Sequence, residues 1–131
     1  MPKRSKPRAS LDEILRSLSE DFFPDAHGSE PVTIDSRRAD GDTPLHILAH
    51  ARNSYAVQLL IEAGADVNAV GDMSETPLHI ALRKKDLASA NALVAAGANS
   101  HLVSEFGQSC FDIAKDLGGA FKRLLHDRHV D

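Results

Sequence analysis

The chain has 131 residues, of which 42% are hydrophobic and 26% are charged, so it is long enough for one domain and too apolar for a disordered chain. Its single cysteine, Cys110, excludes an internal disulfide and favours a reducing compartment. No apolar run has the length of a membrane span or a secretory signal, and we therefore expect a cytoplasmic protein.

Charge is distributed unevenly along the sequence. The first ten residues hold four of the 15 basic residues and no acidic one, which leaves 11 basic against 19 acidic residues and a formal charge of −8 for residues 11–131. An acidic body disfavours nucleic acid as a partner, because clustered lysine and arginine side chains bind phosphate. It favours a partner protein with a basic surface.

The first predicted segment is a basic arm, residues 1–9. Two prolines and the lack of apolar periodicity predict that it is disordered. Short basic runs also occur as nuclear-targeting signals, and that role stays open for the arm.

A helix is predicted next, over residues 10–23. Ser10 and Glu13 fit the S-x-x-E capping box, and apolar residues follow at helical spacing. We predict that this helix covers the open edge of the following structure, because an uncovered apolar edge lowers solubility. The alternative is a helix that binds a partner or dimerises. A loop completes the segment, residues 10–31 in all.

Two stretches recur at one fixed shift along the chain. Residues 43–47 and residues 76–80 both read T-P-L-H-I, and the G-A pair at 64–65 recurs at 97–98. A weaker third copy begins in register at Ser109. Such a fixed shift, here a 33-residue period, indicates stacked repeat units.

Each unit is predicted to contain two helices. Thr43 and Thr76 suit the N-cap position, because a hydroxyl can accept a free backbone N–H, and the proline after each threonine suits the first helical position. A second apolar stretch follows and ends at a glycine. One such pair cannot bury its apolar face alone, so neighbouring units must stack.

These features resemble the ankyrin repeat, with its 33-residue period and T-P-L-H-x-A signature. Residues 76–81 fit the signature at every position, whereas Leu48 stands at the first alanine position of the earlier copy. The resemblance implies an all-α ankyrin-repeat solenoid of about three helix-turn-helix units with short β-hairpin or turn links. The predicted repeats occupy residues 32–131, divided into 32–70, 71–103 and a degenerate C-terminal cap over 104–131.

One departure from the family pattern lies between the paired helices. Arg52 and Lys85 replace the glycine that the resemblance implies there. We therefore expect the neighbouring Asn53 and Asp86 to accommodate the turn, which should be slightly strained or longer.

No constellation of residues predicts catalysis. The resemblance implies that His46 and His79 bond within their own helix turn and toward the adjacent repeat, and two imidazoles do not supply the four ligands of a closed zinc site. Cys110 stands at a helix start, where burial against the preceding unit is expected. No glycine-rich phosphate loop is present. We predict a protein that is not an enzyme and that needs no metal or cofactor.

The resemblance also implies where a partner binds: on the hairpin tips and on the concave face formed by the first helix of each unit. Met73 and Phe106 are the apolar candidates on the tips, the alternative being that they only shape the turns. The predicted partner-binding residues are Arg37, Arg38, Asp40, Asp42, His50, Asp72, Met73, Glu75, Arg83, Lys84, Glu105, Phe106 and Gln108.

Two functions compatible with such a surface are retained. The first is a small stand-alone inhibitor, such as an immunity protein, that binds and blocks a basic toxin or enzyme. The second is an adaptor that recruits a target protein to other machinery, for which the basic arm is the candidate second surface. In both cases we expect a protein that is a monomer when free.

Overall fold

A computed structural model describes residues 8–26 and 30–127. Within these ranges the chain forms eight α-helices joined by turns and two short 3-10 segments. None of the described helices combines the length and the apolar character that a membrane crossing requires. The helices are α1 (Leu11–Ser17), α2 (Ser19–Phe22), α3 (Pro44–His50), α4 (Ser54–Glu62), α5 (Pro77–Arg83), α6 (Leu87–Ala95), α7 (Cys110–Leu117) and α8 (Gly119–Asp127), and the 3-10 segments are Pro24–Ala26 and Asp72–Ser74.

Helices α3 to α8 form three stacked pairs. The first helices α3, α5 and α7 pack side by side in one row, and the second helices α4, α6 and α8 pack in another. The predicted all-α solenoid of helix pairs is therefore confirmed. The links between pairs are tight turns, since the described residues contain one isolated antiparallel bridge, Val103 to Ser109, and no longer strand.

The start of each unit is fixed by a reciprocal cap. Four N-caps follow one another at intervals of one repeat period, and each accepts the backbone N–H of the third helical residue while that residue's side chain accepts the N-cap N–H. Because this bonding is local, the helix starts can be read from the sequence without knowledge of tertiary contacts. The four N-caps are Ser10, Thr43, Thr76 and Ser109.

The N-terminal helix has the start signal of a first helix but a different packing position. Helix α1 packs against α4, a second helix. Its continuation buries an apolar cluster that also contacts Ile47 on α3. The N-terminal segment therefore covers the open edge of the first unit across both rows, as a cap does. The cluster consists of Leu15, Leu18, Phe22 and Val32.

The helix predicted over residues 10–23 is divided in two. Leu18 leaves the helical conformation, with φ −94° and ψ 2°. The preceding Ser17 donates its hydroxyl to the Ile14 carbonyl at 2.6 Å, a local bond that competes with the helical ladder. The bend at this point turns α2 toward α3.

The predicted basic arm is packed at its C-terminal end. The Arg8 guanidinium lies 4.6 Å from the centre of the Tyr55 ring, and the Tyr55 hydroxyl donates to the Ala9 carbonyl at 3.1 Å. Arg8 and Ala9 therefore belong to the cap rather than to a disordered arm. Residues 1–7 lie outside the described residues.

One apolar core runs through all three units. It extends from Ile14 in α1 to Leu125 in α8, and its central leucines have no exposed surface. Each leucine buried in this way contributes about 1.5–3 kcal/mol relative to an exposed one. The fully buried leucines are Leu45, Leu60, Leu78, Leu82 and Leu93.

In the turns between paired helices, the residue with the left-handed conformation is not the one that was expected. Arg52 and Lys85 themselves adopt the left-handed conformation, with φ of 55° and 56°. Asn53 and Asp86 have negative φ and serve as N-caps for α4 and α6. The expectation that Asn53 and Asp86 absorb the turn was wrong, because their side chains are needed to cap the next helix.

Candidate partner-binding groove

Three tight turns, one before each first helix, stand in a row along one edge of the solenoid. Each is closed by a backbone N–H that donates to the carbonyl four residues later, and the pattern recurs once in every repeat unit. The three turns therefore recur with the same period as the sequence repeat. The closing pairs are Arg38 to Asp42 at 2.8 Å, Gly71 to Glu75 at 2.9 Å and Ser104 to Gln108 at 2.9 Å.

Two buried histidines hold the row in place. His46 Nδ1 accepts the Thr43 N–H at 3.1 Å, while Nε2 donates to the Glu75 carbonyl at 2.9 Å. His79 repeats this with its own threonine and the Gln108 carbonyl, at 3.0 Å. Because Nδ1 acts as an acceptor, both rings are neutral, and burial lowers the pKa of each. Each histidine thus connects a helix start to the next turn.

The turns are also bonded to one another directly. The Asp72 N–H donates to Asp42 Oδ1 at 2.8 Å, which joins the first turn to the second. The Glu105 N–H donates to the Met73 carbonyl at 2.9 Å, which joins the second to the third. Arg37 reinforces the first junction, because its Nη1 donates to the Gly41 and Val70 carbonyls at 2.8 Å each.

A groove of about 400 Å³ lies between this row and the ends of the first helices. All eight residues that line it belong to the partner-binding set predicted from the sequence. The other five members of that set, Arg37, Arg38, Asp40, Lys84 and Glu105, lie outside the lining. The lining residues are Asp42, His50, Asp72, Met73, Glu75, Arg83, Phe106 and Gln108.

Two of the predicted contact acids are structural. Glu75 is only 5% exposed, and both of its carboxylate oxygens are held by Arg83, from Nε at 2.8 Å and from Nη2 at 2.6 Å. Asp42 is also buried, with its carboxylate bonded to the Asp72 N–H. Glu75 and Asp42, both predicted as partner-binding tip residues, line the groove but are covered by the adjoining turn and helix.

At Gly71 the backbone of the second turn lies close to the Asp42 and His46 side chains of the first unit. A Cβ at this position would collide with the Asp42 carboxylate and lie 2.8 Å from His46 Nε2. The second turn can therefore pack against the first only if residue 71 has no side chain.

The rim of the groove, by contrast, exposes apolar side chains. Met73 is 46% exposed and Phe106 is 61% exposed. Met73 and Ser74 have φ of 57° and 55°, a left-handed conformation that costs about 1–2 kcal/mol per residue outside glycine. The positions equivalent to Ser74 are Gly41 and Gly107. Backbone strain at an exposed apolar residue is typical of functional sites.

The groove is negatively charged. Its lining includes three carboxylates, on Asp42, Asp72 and Glu75, and one guanidinium, on Arg83. Partial desolvation in the groove lowers the pKa of His50, so that side chain is neutral at pH 7. The lining therefore has a net charge of −2, with the Asp72 carboxylate on the exposed side.

The structure exposes three large apolar residues that the sequence argument did not select for partner binding, namely Val70, Leu87 and Val103. Val70 and Val103 occupy equivalent positions in adjacent units, and this repetition could have identified them from the sequence. Neither residue lines the groove. Cys110 is buried, and burial raises the pKa of its thiol to about 12. In the described part of the chain, no three His, Cys, Asp or Glu side chains are grouped to hold a metal.

Stacked helical pairs with a row of turns beside a concave groove define a repeat solenoid, a class of protein that binds partners along its concave edge. The family model described as "Ankyrin repeats (3 copies)" matches residues 10–104. The chain belongs to the ankyrin-repeat family, whose members are generally non-catalytic protein–protein interaction modules. The match begins at the N-cap of α1, in agreement with the repeat register of Ser10. No curated protein matches the chain.

Proposed function

We propose that this protein is a stand-alone inhibitor, of the kind represented by immunity proteins, that blocks a basic enzyme or toxin in the cytoplasm. The observation that carries the proposal is the groove, which combines a net charge of −2 with two exposed apolar side chains, Met73 and Phe106. A positively charged segment of the partner would lie in it.

The charge of the chain supports this choice of partner. Residues 11–131 have a formal charge of −8, and the exposed acid of the groove, Asp72, stands on the second turn. Complementary potentials speed encounter between proteins and disfavour partners of the wrong sign. An acidic inhibitor therefore suits a target with a basic surface.

The apolar rim supplies the second part of the recognition. Met73 and Phe106 occupy equivalent positions on adjacent turns, and both line the groove. Large apolar side chains near the centre of an interface supply most of the binding energy in many complexes. The hydrogen bond from the Glu105 N–H to the Met73 carbonyl fixes the two turns relative to each other, so little ordering is needed on binding.

The first test separates charge from apolar contact. Asp72→Lys should slow association and reduce its dependence on salt, whereas a Met73→Ala and Phe106→Ala double variant should mainly speed dissociation. Glu62→Lys is the matched control, because it makes the same charge change on the exposed side of α4. The partner is the protein captured by wild type and by Glu62→Lys but lost with Asp72→Lys.

The second test asks whether binding inhibits. The captured enzyme is assayed while wild-type protein is titrated against it, and activity should fall to near zero at equimolar amounts. Full activity at saturation would show that the chain is an adaptor instead. Capture that is equal for all variants, with folding confirmed by circular dichroism, would show that another surface binds the partner.

A further inference from the structure

The last repeat differs from the earlier ones at two positions that stacking normally buries. Leu82 on α5 and Ala90 on α6 have no exposed surface. A shift of one repeat period maps Leu82 onto Lys115, and because α8 begins one residue early, Ala90 maps onto Lys122. A fourth unit of the same kind would bury both ammonium groups, which is costly without paired charges. The two lysines therefore disfavour the stacking of a further unit of the same kind.

An apolar pocket remains between these lysines. It has a volume of about 150 Å³, and its floor is formed by Ala114 and Leu125, which are 1% and 2% exposed. Half-buried Phe111 forms one wall, and exposed Lys115 and Lys122 complete the lining. The pocket offers room for one apolar side chain, flanked by two cations.

Neither lysine forms an ion pair within the described part of the chain, although the Lys115 charge is partly offset by Asp112, whose pKa is lowered first by its hydrogen bonds with Ser109 and then by this lysine. Among the described residues the ion pairs are Arg38 to Asp40 and Arg83 to Glu75, and they include neither lysine. No acidic residue lines the pocket. Asp112, three residues before Lys115, is engaged at its own helix start, where its carboxylate accepts the Ser109 N–H at 3.1 Å.

We propose that this end pocket is a second docking site, separate from the groove, for an acidic segment of a partner protein that inserts one apolar side chain between Lys115 and Lys122. A carboxylate on either side of that side chain would meet a lysine. Desolvation of an apolar anchor together with nearby opposite charge is the usual chemistry of a specific contact. The site would give the protein two surfaces of opposite charge.

A second copy of the chain stacked end to end does not fit this pocket. The exposed large apolar side chains of the described residues all lie between residues 70 and 106, and none is on the N-terminal helices. The N-terminal edge instead has a cavity of its own, between α1 and the segment around Val32. End-to-end stacking of two copies would place one cavity against another and supply no anchor.

The experiment uses a fluorescein-labelled synthetic peptide with one phenylalanine between glutamate and aspartate residues, and the full chain. Anisotropy should show saturable binding that weakens at high salt. A Lys115→Glu and Lys122→Glu double variant should bind at least about tenfold more weakly, and so should wild type with a peptide that has alanine for phenylalanine. The matched control, Arg52→Glu with Lys85→Glu, reverses two exposed basic residues that stand at equivalent positions outside both the pocket and the predicted partner-binding set, and it should stay within about twofold of wild type.

Three outcomes of the peptide experiment would overturn the proposal. These are no binding at millimolar peptide, equal binding by the folded Lys115→Glu and Lys122→Glu variant, and an equal loss in the Arg52 and Lys85 control. Sedimentation velocity tests whether the chain binds itself. Self-association that the Lys115→Glu and Lys122→Glu variant abolishes would show that a second copy occupies the pocket, and this result would also overturn the proposal. Asp72→Lys should bind this peptide normally, so failure of the groove proposal and failure of this one are distinguishable.

Discussion

The interior and the rim of the turn row contain the same kinds of residue in opposite roles. In the interior, Glu75 is buried and paired with Arg83. On the rim, Asp72 is exposed, and its backbone N–H and carbonyl are bonded within the row. The two acids stand three residues apart, yet one stabilises the turn and the other is available to a partner. Burial by the neighbouring unit, rather than residue type, separates the two roles.

The histidines show the same contrast. His79 is fully buried and bonded at both ring nitrogens, whereas His50 is exposed at the end of α3 and lines the groove. Interior residues should therefore change stability when mutated, and rim residues should change binding. The predictions that follow test this division.

The largest expected effect is on the interior histidine. His79→Ala should lower the free energy of unfolding by about 2–4 kcal/mol, because it leaves the buried Thr76 N–H and Gln108 carbonyl without a partner and opens a cavity. Urea denaturation measures the loss. His50→Ala is the rim control and should change the same quantity by less than about 0.5 kcal/mol. Equal losses in both variants would contradict the division.

A methyl group at the closest approach should have the next largest effect. Gly71→Ala should cost about 1–3 kcal/mol, because its Cβ would collide with the Asp42 carboxylate and crowd the His46 ring. The φ of −115° at Gly71 is open to any residue, so the cost comes from contact rather than backbone strain. Thermal unfolding of Gly71→Ala beside Ser74→Ala, which should remain near wild type, gives the comparison. A neutral Gly71→Ala would mean that the two turns can separate freely.

Acid should weaken the fold through its histidines of lowered pKa, and rim residue His50 shares this direction with interior His46 and His79. The pKa values of His46 and His79 lie below the ordinary value of 6.5 in the folded state, so the unfolded chain binds more protons between those values and 6.5. Their contribution to stability is complete above pH 6.5 and is lost as the pH falls through the folded-state pKa values. Urea midpoints measured from neutral pH downward through this window should fall, less steeply in His79→Ala. The lowered pKa of Asp112 acts only below its ordinary 3.8, outside this window.

The smallest expected effect is a gain in stability on the rim. Ser74→Gly should raise the free energy of unfolding by up to about 1 kcal/mol, because glycine relieves the left-handed strain at φ 55° while adding entropy to the unfolded chain. The equivalent turns already have Gly41 and Gly107. Lys85→Gly, at φ 56° and far from the rim, is the matched control and should gain a similar amount. A loss in Ser74→Gly alone would show that the second turn uses its serine side chain.

Much of the groove could be predicted from repeats alone. A fixed repeat period places equivalent positions side by side, so the set chosen from the turns and first helices contained every residue that lines the groove. The sequence did not show which members of that set are buried and which are exposed. Whether Asp42 or Glu75 is buried depends on how closely the next turn approaches, and that distance is set by Gly71 and the histidine bonds.

The N-terminal segment illustrates a second limit. The capping box of Ser10 and Glu13 predicted a helix at the correct residue, because capping involves only neighbouring backbone groups. Its register also matches that of a first helix, although α1 packs on the second-helix row. The bend that Ser17 introduces and the burial of Phe22 beside Val32 direct the segment across the edge, and neither is visible as a period.

By itself the sequence determined the family, the repeat period and the helix starts, since N-caps, prolines and terminal glycines act on backbone groups a few residues away. The tertiary structure alone decided which acids reach solvent, which turn residues are strained and where the lysine-flanked pocket lies between α7 and α8. Those features depend on the presence or absence of a neighbouring unit against each surface. Whether a side chain is buried depends on how two neighbouring units pack, and the sequence of one unit does not specify that packing.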